Sequence, residues 1–250
     1  MTEEFFSRTK ILLGEHALTH LISHHVLIAG LGGVGSFVAE ALGRVGIAHL
    51  TLLDHDVVSV SNLNRQLVAL HSTLGQPKTE VMAERLRDIY PGISLTLVTE
   101  FLQKEHAQAF VQQGQFDFVV DCIDSIACKA ALVAACLQQG IPVVSSLGAG
   151  NRLDVTQVRI AQLNQTQGCP LARELRAQLK AMGMRTNYPV VYSQEPSHSP
   201  LPHQSPTSGP TGRPRAVNGT ISYMPALFGI MLAGVVVRQL LEKTDQPRSI

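Results

Sequence analysis

The chain has 250 residues, 45% of them hydrophobic, and a formal net charge of +1. This length predicts one domain over residues 1–250, with enough apolar residues for a sizeable core. The near-neutral charge excludes a uniformly basic nucleic-acid-binding protein, so a nucleic-acid partner would have to contact a local basic patch.

The four cysteines include no CxxC pair, and three of them lie on a predicted strand end or helix. They are Cys122, Cys128, Cys136 and Cys169. We therefore expect reduced core residues rather than metal ligands, as in a reducing cytoplasm. The N-terminal sequence MTEEFFSRTK is unlike a signal peptide. Both features predict a cytoplasmic protein.

Residues 9–22 carry apolar side chains at near-helical spacing. This spacing predicts one or two short helices before the first strand. Arg8 precedes these helices, and composition alone favours an ordinary solvated arginine at this position.

Residues 24–54 have the pattern of a nucleotide-binding βαβ unit. A short apolar run at residues 26–29 predicts a buried strand, an Ala- and Val-rich helix follows, and residues 49–53 predict a second strand. The turn after the first strand contains Gly30, Gly32, Gly33 and Gly35. Glycines let the backbone turn tightly and approach a phosphate, and the N–H groups at the helix start point at the anion.

Asp54 ends this unit, where a carboxylate can accept hydrogen bonds from ribose hydroxyls. The glycine turn does not by itself distinguish NAD, FAD and ATP as the ligand. The alternative is a tight turn that only packs a helix against the sheet.

A polar loop follows the second strand and contains Asp56, Asn62, Asn64, Arg65 and Gln66. Ligands of open α/β sheets bind at this carboxyl end of the strands. Lys78 lies at the start of a helix predicted over residues 77–89, with Pro77 near its first position. An arginine, an asparagine and a lysine in one crevice suit a polyphosphate, and an NAD dehydrogenase does not need this set. The alternative is a polar surface loop.

Two carboxylates, Asp121 and Asp124, follow a strand predicted over residues 116–120. Carboxylates at this spacing, at the carboxyl end of a strand, can hold magnesium against a nucleotide. Either side chain could instead cap the next helix, predicted over residues 125–139. We assign Asp124 to the metal or the ribose, and Asp121 to a cap or a supporting position.

The alternation of strands and helices predicts the fold. Further strands are predicted over residues 94–99 and 142–146, and a helix over residues 103–113. Five strands that alternate with helices indicate an α/β protein with a Rossmann-like, doubly wound and mostly parallel sheet. The core of this fold spans residues 20–165.

The pattern changes after the fifth strand, and residues 166–250 follow the core as a C-terminal extension. A half-exposed strand is predicted over residues 156–163, an amphipathic helix over 171–182 and a short strand over 189–193. Residues 195–218 are rich in proline and predict a flexible loop. The apolar run at residues 224–237 is shorter than the about 20 residues that span a bilayer. This favours a buried or subunit-interface helix over peripheral membrane contact.

The motifs GLGGVG, LLDHD, SNLNRQ, GQPK and DCID occur in this order. They resemble the ThiF/MoeB/HesA superfamily, relatives of the ubiquitin-activating enzymes, over residues 5–165 and again in the last helix. The resemblance implies a fold that binds ATP and magnesium and adenylates a carboxylate.

The resemblance also implies roles for individual residues. Asp54 would hold the ribose, and Asp124 would serve as the magnesium ligand. Asn62, Arg65 and Lys78 would hold the phosphates. Arg8 matches a family arginine that reaches the phosphates from the other subunit of a dimer. The implied catalytic residues are Arg8, Arg65, Lys78 and Asp124. The implied nucleotide-binding residues are Gly30, Gly32, Gly33, Gly35, Asp54, Asp56, Asn62, Arg65, Gln66, Lys78, Asp121 and Asp124.

Members that activate sulfur-carrier proteins usually have a CxxC…CxxC zinc site, which this chain lacks. The segment RTKILLGEHAL, the GGVGS turn and the zinc-free C-terminal half are instead similar to the TcdA branch, also called CsdL or YgdL. Those enzymes are tRNA threonylcarbamoyladenosine dehydratases, so the resemblance implies a homodimer with tRNA as substrate and leaves room for a sulfur-relay protein partner. The proline-rich insert departs from this branch.

Two alternatives stay open. One is an adenylyltransferase that activates the C-terminal Gly-Gly of a ubiquitin-like sulfur carrier, in molybdopterin or thiamine biosynthesis. The other is a non-catalytic or NAD-binding Rossmann module.

Overall fold

The computed structural model describes residues 2–199 and 218–242. The strands are β1 (His25–Ala29), β2 (His49–Leu53), β3 (Ser94–Val98), β4 (Phe118–Asp121), β5 (Val143–Ser146), β6 (Val158–Gln162) and β7 (Pro189–Ser193). The helices are α1 (Thr2–Phe5), α2 (Ser7–Leu13), α3 (Glu15–Ile22), α4 (Gly35–Val45), α5 (Lys78–Ile89), α6 (Ala107–Gly114), α7 (Ile126–Gln139), α8 (Pro170–Ala181) and α9 (Tyr223–Glu242).

The strands form one sheet in the order β3-β2-β1-β4-β5-β7-β6. Strands β1 to β5 and β7 run parallel, and β6 pairs antiparallel with β7 at one edge. The predicted α/β class with a mostly parallel sheet is confirmed. Chain order reverses on either side of β1, and the crevice at the carboxyl ends of β1 and β4 is where such sheets bind ligands.

Helices cover both faces of the sheet, which explains why the central strands read as continuous apolar runs. Val26 and Ile28 of β1 belong to the core under α3, α4, α5 and α9. Leu27 and Ala29 of the same strand face the core under α6, α7 and α8. The predicted extension therefore contributes to the same sheet and cores as the rest of the chain, through β7, α8 and α9.

Several predicted boundaries change. Gly14 has a φ of +82°, so the predicted N-terminal helical region divides into α2 and α3 at this residue. The prediction that Arg8 precedes these helices is wrong, because Arg8 lies within α2. Helix α6 starts at Ala107, later than predicted. Strand β6 also starts late, because the Asp154 side chain accepts the Thr156 N–H at 2.8 Å and caps a 3-10 turn.

Helix α9 has 20 residues and, in the described part of the chain, is long and apolar enough by length and composition to cross a membrane. The prediction that this segment is too short is therefore wrong. However, 56% of its apolar window is buried inside the protein. At Gly229 a Cβ would lie 2.5 Å from the Val34 carbonyl oxygen, so glycine allows close packing on α4. This packing agrees with the predicted buried closing helix.

The four cysteines are unpaired thiols, as predicted. Burial raises the pKa of Cys122 and Cys136. These thiols are therefore protonated at neutral pH and poor nucleophiles. Of the predicted proline-rich loop, residues 195–199 and 218 contain no helix or strand, and residues 200–217 lie outside the described part.

Candidate active site

The glycine turn between β1 and α4 can be built only without side chains at two of its positions. A Cβ at Gly35 would lie 1.7 Å from the Gly30 carbonyl oxygen, and a Cβ at Gly30 would lie 2.8 Å from that of Cys122. At Gly32, by contrast, the one described atom within 4 Å of a Cβ would be Gln66 Nε2 at 3.7 Å. The space over Gly32 is open at the start of α4, where N–H groups favour an anion.

Asp54 ties this turn to the loop after β2. The side chain is buried, and Oδ2 accepts the Leu31 N–H at 2.6 Å while Oδ1 accepts the Asp56 N–H at 2.9 Å. Each carboxylate oxygen can accept a second hydrogen bond. The carboxylate can therefore fix the turn and still accept from ribose hydroxyls.

Lys78 is buried at the first residue of α5, beside the same loop. Its Nζ lies 2.7 Å from Asp56 Oδ2 and 4.0 Å from Asp54 Oδ1. The ligand atoms of Asp54, His55 and Asp56 lie within 4.8 Å of one another, which would suit a cation. The Lys78 ammonium already supplies a positive charge there, so this cluster does not need a metal ion.

Arg65 is half-buried, and its hydrogen bonds go to neutral acceptors. Its Nη1 donates to the Ser61 carbonyl oxygen at 2.8 Å and to Asn64 Oδ1 at 2.9 Å. A Cβ at Gly33 would lie 3.4 Å from Arg65 Cγ, so the side chain lies against the glycine turn. Burial lowers the pKa of the guanidinium, which nevertheless stays charged at neutral pH. Among the described residues no carboxylate forms an ion pair with Arg65, which leaves its charge for an anionic ligand.

The two amides of this loop differ. Asn62 Oδ1 accepts the Ser59 N–H at 3.1 Å and so holds a 3-10 turn. Gln66 is buried beside Gly32, and its Oε1 has no hydrogen-bond partner among the described residues. Such an unpaired buried acceptor costs about 1–3 kcal/mol. A donor group on a bound ligand would remove this cost.

The two predicted carboxylates of β4 have different environments. Asp121 is fully buried: Oδ2 accepts from Lys129 Nζ at 2.7 Å and Ser145 Oγ at 2.6 Å, and Oδ1 accepts the Ile123 N–H at 3.1 Å. Asp124 is exposed in the loop before α7. The predicted cap is wrong for both, because the N-cap of α7 is Ser125, whose side chain makes no capping hydrogen bond. Asp121 supports the loop from inside, and its direct contact with a nucleotide stays a prediction.

Arg8 is the one predicted catalytic residue that does not lie at the carboxyl ends of the strands. It lies on α2, whose N-cap is Phe6, and the Phe6 ring lies 3.1 Å from where a Cβ of Gly46 would be. Gly46 follows the C-terminal end of α4, whereas the glycine turn precedes its N-terminal end. The 11 residues of α4 separate these ends by about 16 Å.

The segment that leads into α9 closes one side of the site. Thr220 accepts from Asn64 Nδ2 at 3.1 Å, next to Arg65 in the chain. Gly219 accepts the Asn151 N–H at 2.8 Å, and Asn218 Oδ1 accepts from Asn151 Nδ2 at 3.1 Å. We call residues 218–220 the crossing segment. It connects the loop of Arg65 with the loop after β5.

Sequence reasoning missed two buried cations at this edge, Lys129 and Arg152. Lys129 could have been found, because a lone charge within the apolar helix sequence IACKAALVAAC requires a buried partner. Arg152 follows a small-residue turn, and no local pattern reveals its burial. The edge thus combines turn N–H groups, Arg65, Lys78 and the exposed Asp124, a set suited to a nucleoside polyphosphate with a divalent cation.

Comparisons with known proteins agree with this chemistry. The ThiF family model matches residues 6–249. A tRNA threonylcarbamoyladenosine dehydratase of Bacillus subtilis is 35% identical over 97% of both chains. The crystal structure of E. coli tRNA N6-threonylcarbamoyladenosine dehydratase, TcdA, in complex with ATP matches with a TM-score of 0.86 and 35% identity, over 96% of this chain and 95% of that chain. Molybdopterin-synthase adenylyltransferase of E. coli is 40% identical, but over 52% of this chain and 50% of the relative.

Proposed function

Since the chain belongs to the ThiF family, we propose that it is an ATP-dependent tRNA threonylcarbamoyladenosine dehydratase. The observation that carries this proposal is the extent of the similarity. Likeness to the dehydratases runs over nearly the whole chain, whereas likeness to the molybdopterin-synthase adenylyltransferase covers about half of it.

The proposed reaction activates the threonyl carboxylate of the modified adenosine. A carboxylate oxygen attacks the α-phosphorus of ATP, the bond to the β-phosphate breaks, and pyrophosphate leaves. A nucleophile of the same modified base then attacks the acyl carbon, AMP leaves, and a ring closes. The water formally lost from the base leaves as an oxygen of AMP and a proton. Because both reacting groups belong to one substrate, no protein nucleophile is needed.

The residues at the sheet edge support the first step. The Gly32 region and the start of α4 would bind phosphate oxygens, and Arg65 and Lys78 would stabilise the charge of the leaving pyrophosphate. Asp54 would accept from the ribose. The exposed Asp124 fits a magnesium ligand, and magnesium there would neutralise phosphate charge. The Lys78 ammonium would then pair with a phosphate oxygen instead of with Asp56.

We also propose that two copies of the chain form the active unit. Ile11 and Leu12, on α2 beside Arg8, are 86% and 82% exposed, and Ile230 on α9 is 53% exposed. Exposed apolar side chains of this kind favour a protein interface. Pairing would bring Arg8 of the partner subunit to the phosphates. We further propose a cytoplasmic location and a sulfur-relay protein as a partner.

The test of the reaction compares two candidate substrates, each of which supplies a carboxylate. Purified protein is given ATP, magnesium and either tRNA carrying threonylcarbamoyladenosine or a sulfur-carrier protein ending in Gly-Gly. We expect pyrophosphate release with the tRNA and loss of one water from its modified nucleoside by mass spectrometry. Pyrophosphate release with the carrier alone would support the adenylyltransferase, and no response to ATP would support an NAD-binding module.

The test of the dimer mixes two inactive variants, Arg8→Ala and Lys78→Ala. If Arg8 acts across the dimer, a mixed dimer contains one site with both residues intact. Equal mixing should then restore about a quarter of wild-type activity. If Arg8 acts within its own chain, mixing restores none. If Arg8 has no role, Arg8→Ala alone keeps wild-type activity, which would contradict the proposal before any mixing.

A further inference from the structure

Arg152 is a buried arginine that has no anionic partner among the described residues. Its exposed fraction is 3%, and its Nε has no hydrogen-bond partner in residues 2–199 and 218–242. Within the described part of the chain, the guanidinium makes one hydrogen bond, from Nη1 to the Asn151 carbonyl oxygen at 3.5 Å, the limit of such a bond. A guanidinium has five N–H donors, and a buried charge is costly unless it is paired.

Among the described residues, the nearby acidic groups do not neutralise the charge of Arg152. Glu195 is the buried carboxylate of the same region, and it accepts the N–H groups of Leu153 and Asp154, both at 2.9 Å for Oε2. His198 Nε2 lies 2.8 Å from its Oε1. Within the described residues no carboxylate lies within ion-pair distance of Arg152.

The position of Arg152 in the fold places it beside the candidate active site. It lies in the loop after β5, and Asp121 at the end of β4 pairs in register with Ser145 of β5. The loop that carries Asp124 therefore neighbours the loop of Arg152 at one edge of the sheet. Asn151 also binds the crossing segment, which binds Asn64 beside Arg65 on its other side.

We propose that Arg152 binds the carboxylate that is activated by ATP. This inference rests on the proposed function and adds a residue for the acid to those proposed for the nucleotide. A guanidinium matches a carboxylate with two parallel hydrogen bonds, and low exposure strengthens such a pair. This ion pair would hold the substrate carboxylate beside the site of the ATP α-phosphate. Because Arg152 is covered, binding requires a shift of its side chain or of the crossing segment, a size of change common on binding.

The experiment compares two tRNA probes that differ in the carboxylate. One carries threonylcarbamoyladenosine and the other is the same tRNA with unmodified adenosine. We expect wild-type protein to bind the modified tRNA about 10- to 100-fold more tightly, and Arg152→Met to bind both alike. Arg152→Lys should recover part of the preference, because lysine keeps the charge but loses the paired geometry.

A matched control separates this role from general attraction to RNA. Arg173→Met removes one exposed positive charge on α8. It should leave the preference between the probes unchanged, even if both bind more weakly. The KM for ATP should also be unchanged in Arg152→Met, and thermal unfolding verifies that the variant is folded.

Two results would overturn the inference. The first is an unchanged preference for the modified tRNA in Arg152→Met. The second is an equal loss of affinity for both tRNAs, which would assign Arg152 to an RNA phosphate. A failure of the proposed function is seen separately, as wild-type protein that releases no pyrophosphate with the modified tRNA, and it would overturn the inference through its premise.

Discussion

Lys129 and Arg152 are both buried cations at the carboxyl edge of the sheet, yet their surroundings are opposite. Lys129 is fully buried, and its Nζ donates to Asp121 Oδ2 at 2.7 Å and to the Ser146 carbonyl oxygen at 3.0 Å. Arg152 makes one hydrogen bond to the described residues, at 3.5 Å. The Lys129 charge is neutralised inside the protein, whereas the Arg152 charge has no counter-charge among the residues that the structure describes. The Lys129 charge therefore stabilises the structure of the site, whereas we propose that the Arg152 charge binds a ligand.

The Lys129 network connects four parts of the fold. Asp121 on β4 accepts from Lys129 on α7 and from Ser145 on β5, and Ser145 Oγ lies 3.1 Å from the Tyr188 hydroxyl before β7. Burial and the nearby Asp121 charge raise the pKa of Tyr188, so its hydroxyl keeps its proton. Through its bond to the Ile123 N–H, Asp121 fixes the loop that carries Asp124.

The largest effect on stability is expected for Lys129→Met. This variant leaves the Asp121 carboxylate buried without its cation, which costs about 3–5 kcal/mol in the free energy of unfolding. Urea denaturation measures this loss. The double variant with Asp121→Asn removes both charges and should recover most of it. A loss below about 1 kcal/mol in the single variant would contradict the importance of this pair.

Asp124→Ala should act on turnover instead. Asp124 is exposed, so its removal should change the free energy of unfolding by no more than about 0.5 kcal/mol. Loss of the proposed magnesium ligand should reduce ATP turnover at least about 100-fold, as removal of a group that stabilises transition-state charge does. Pyrophosphate release and thermal unfolding are measured on the same sample. Wild-type turnover in this variant would contradict the magnesium assignment.

Arg152→Met should have a small effect on stability, in contrast to Lys129→Met. Because Arg152 forms no ion pair with a described residue, removing its charge should leave the free energy of unfolding within about 1 kcal/mol of wild type, or raise it. Urea denaturation of the two Met variants side by side makes the comparison. An Arg152→Met loss as large as that of Lys129→Met would show that Arg152 has a structural partner.

The smallest effect is expected for His25, which begins β1 and so lies at the amino end of the sheet, opposite the candidate site. Burial, together with His49, lowers the pKa of His25, while Asp117 opposes the shift. The unfolded chain then binds a proton more readily than the folded one, so this contribution to stability is present above the unfolded pKa and decreases as the pH falls through it. His25→Gln should flatten the loss of stability below about pH 6.5. An unchanged pH dependence of urea unfolding would exclude this role.

The fold was predictable from sequence because its signals are local. The glycine turn, the apolar strands and the polar loop after β2 each follow from a few neighbouring residues. The burial of Lys129 and Arg152 depends instead on contacts between elements, such as the pairing of Asp121 with Ser145 in the sheet. The contrast between Asp121 and Asp124 could be proposed from spacing, but the hydrogen bonds that cause it come from α7 and β5.

The role of Arg8 could not be predicted from the sequence for a different reason. Its residue type and its exposure on α2 are those of a solvated arginine, and the length of α4 separates it from the glycine turn in one chain. A role for it requires a second chain, which neither local pattern nor the fold of one copy can supply.

The central claim is that this sheet edge uses ATP to activate a carboxylate of modified tRNA. The most direct measurement is the ATP-dependent formation of AMP and pyrophosphate with tRNA carrying threonylcarbamoyladenosine, followed by mass spectrometry of the nucleoside. The account predicts one AMP and one lost water for each modified base. Pyrophosphate release without a change in the nucleoside, or no release at all, would contradict it.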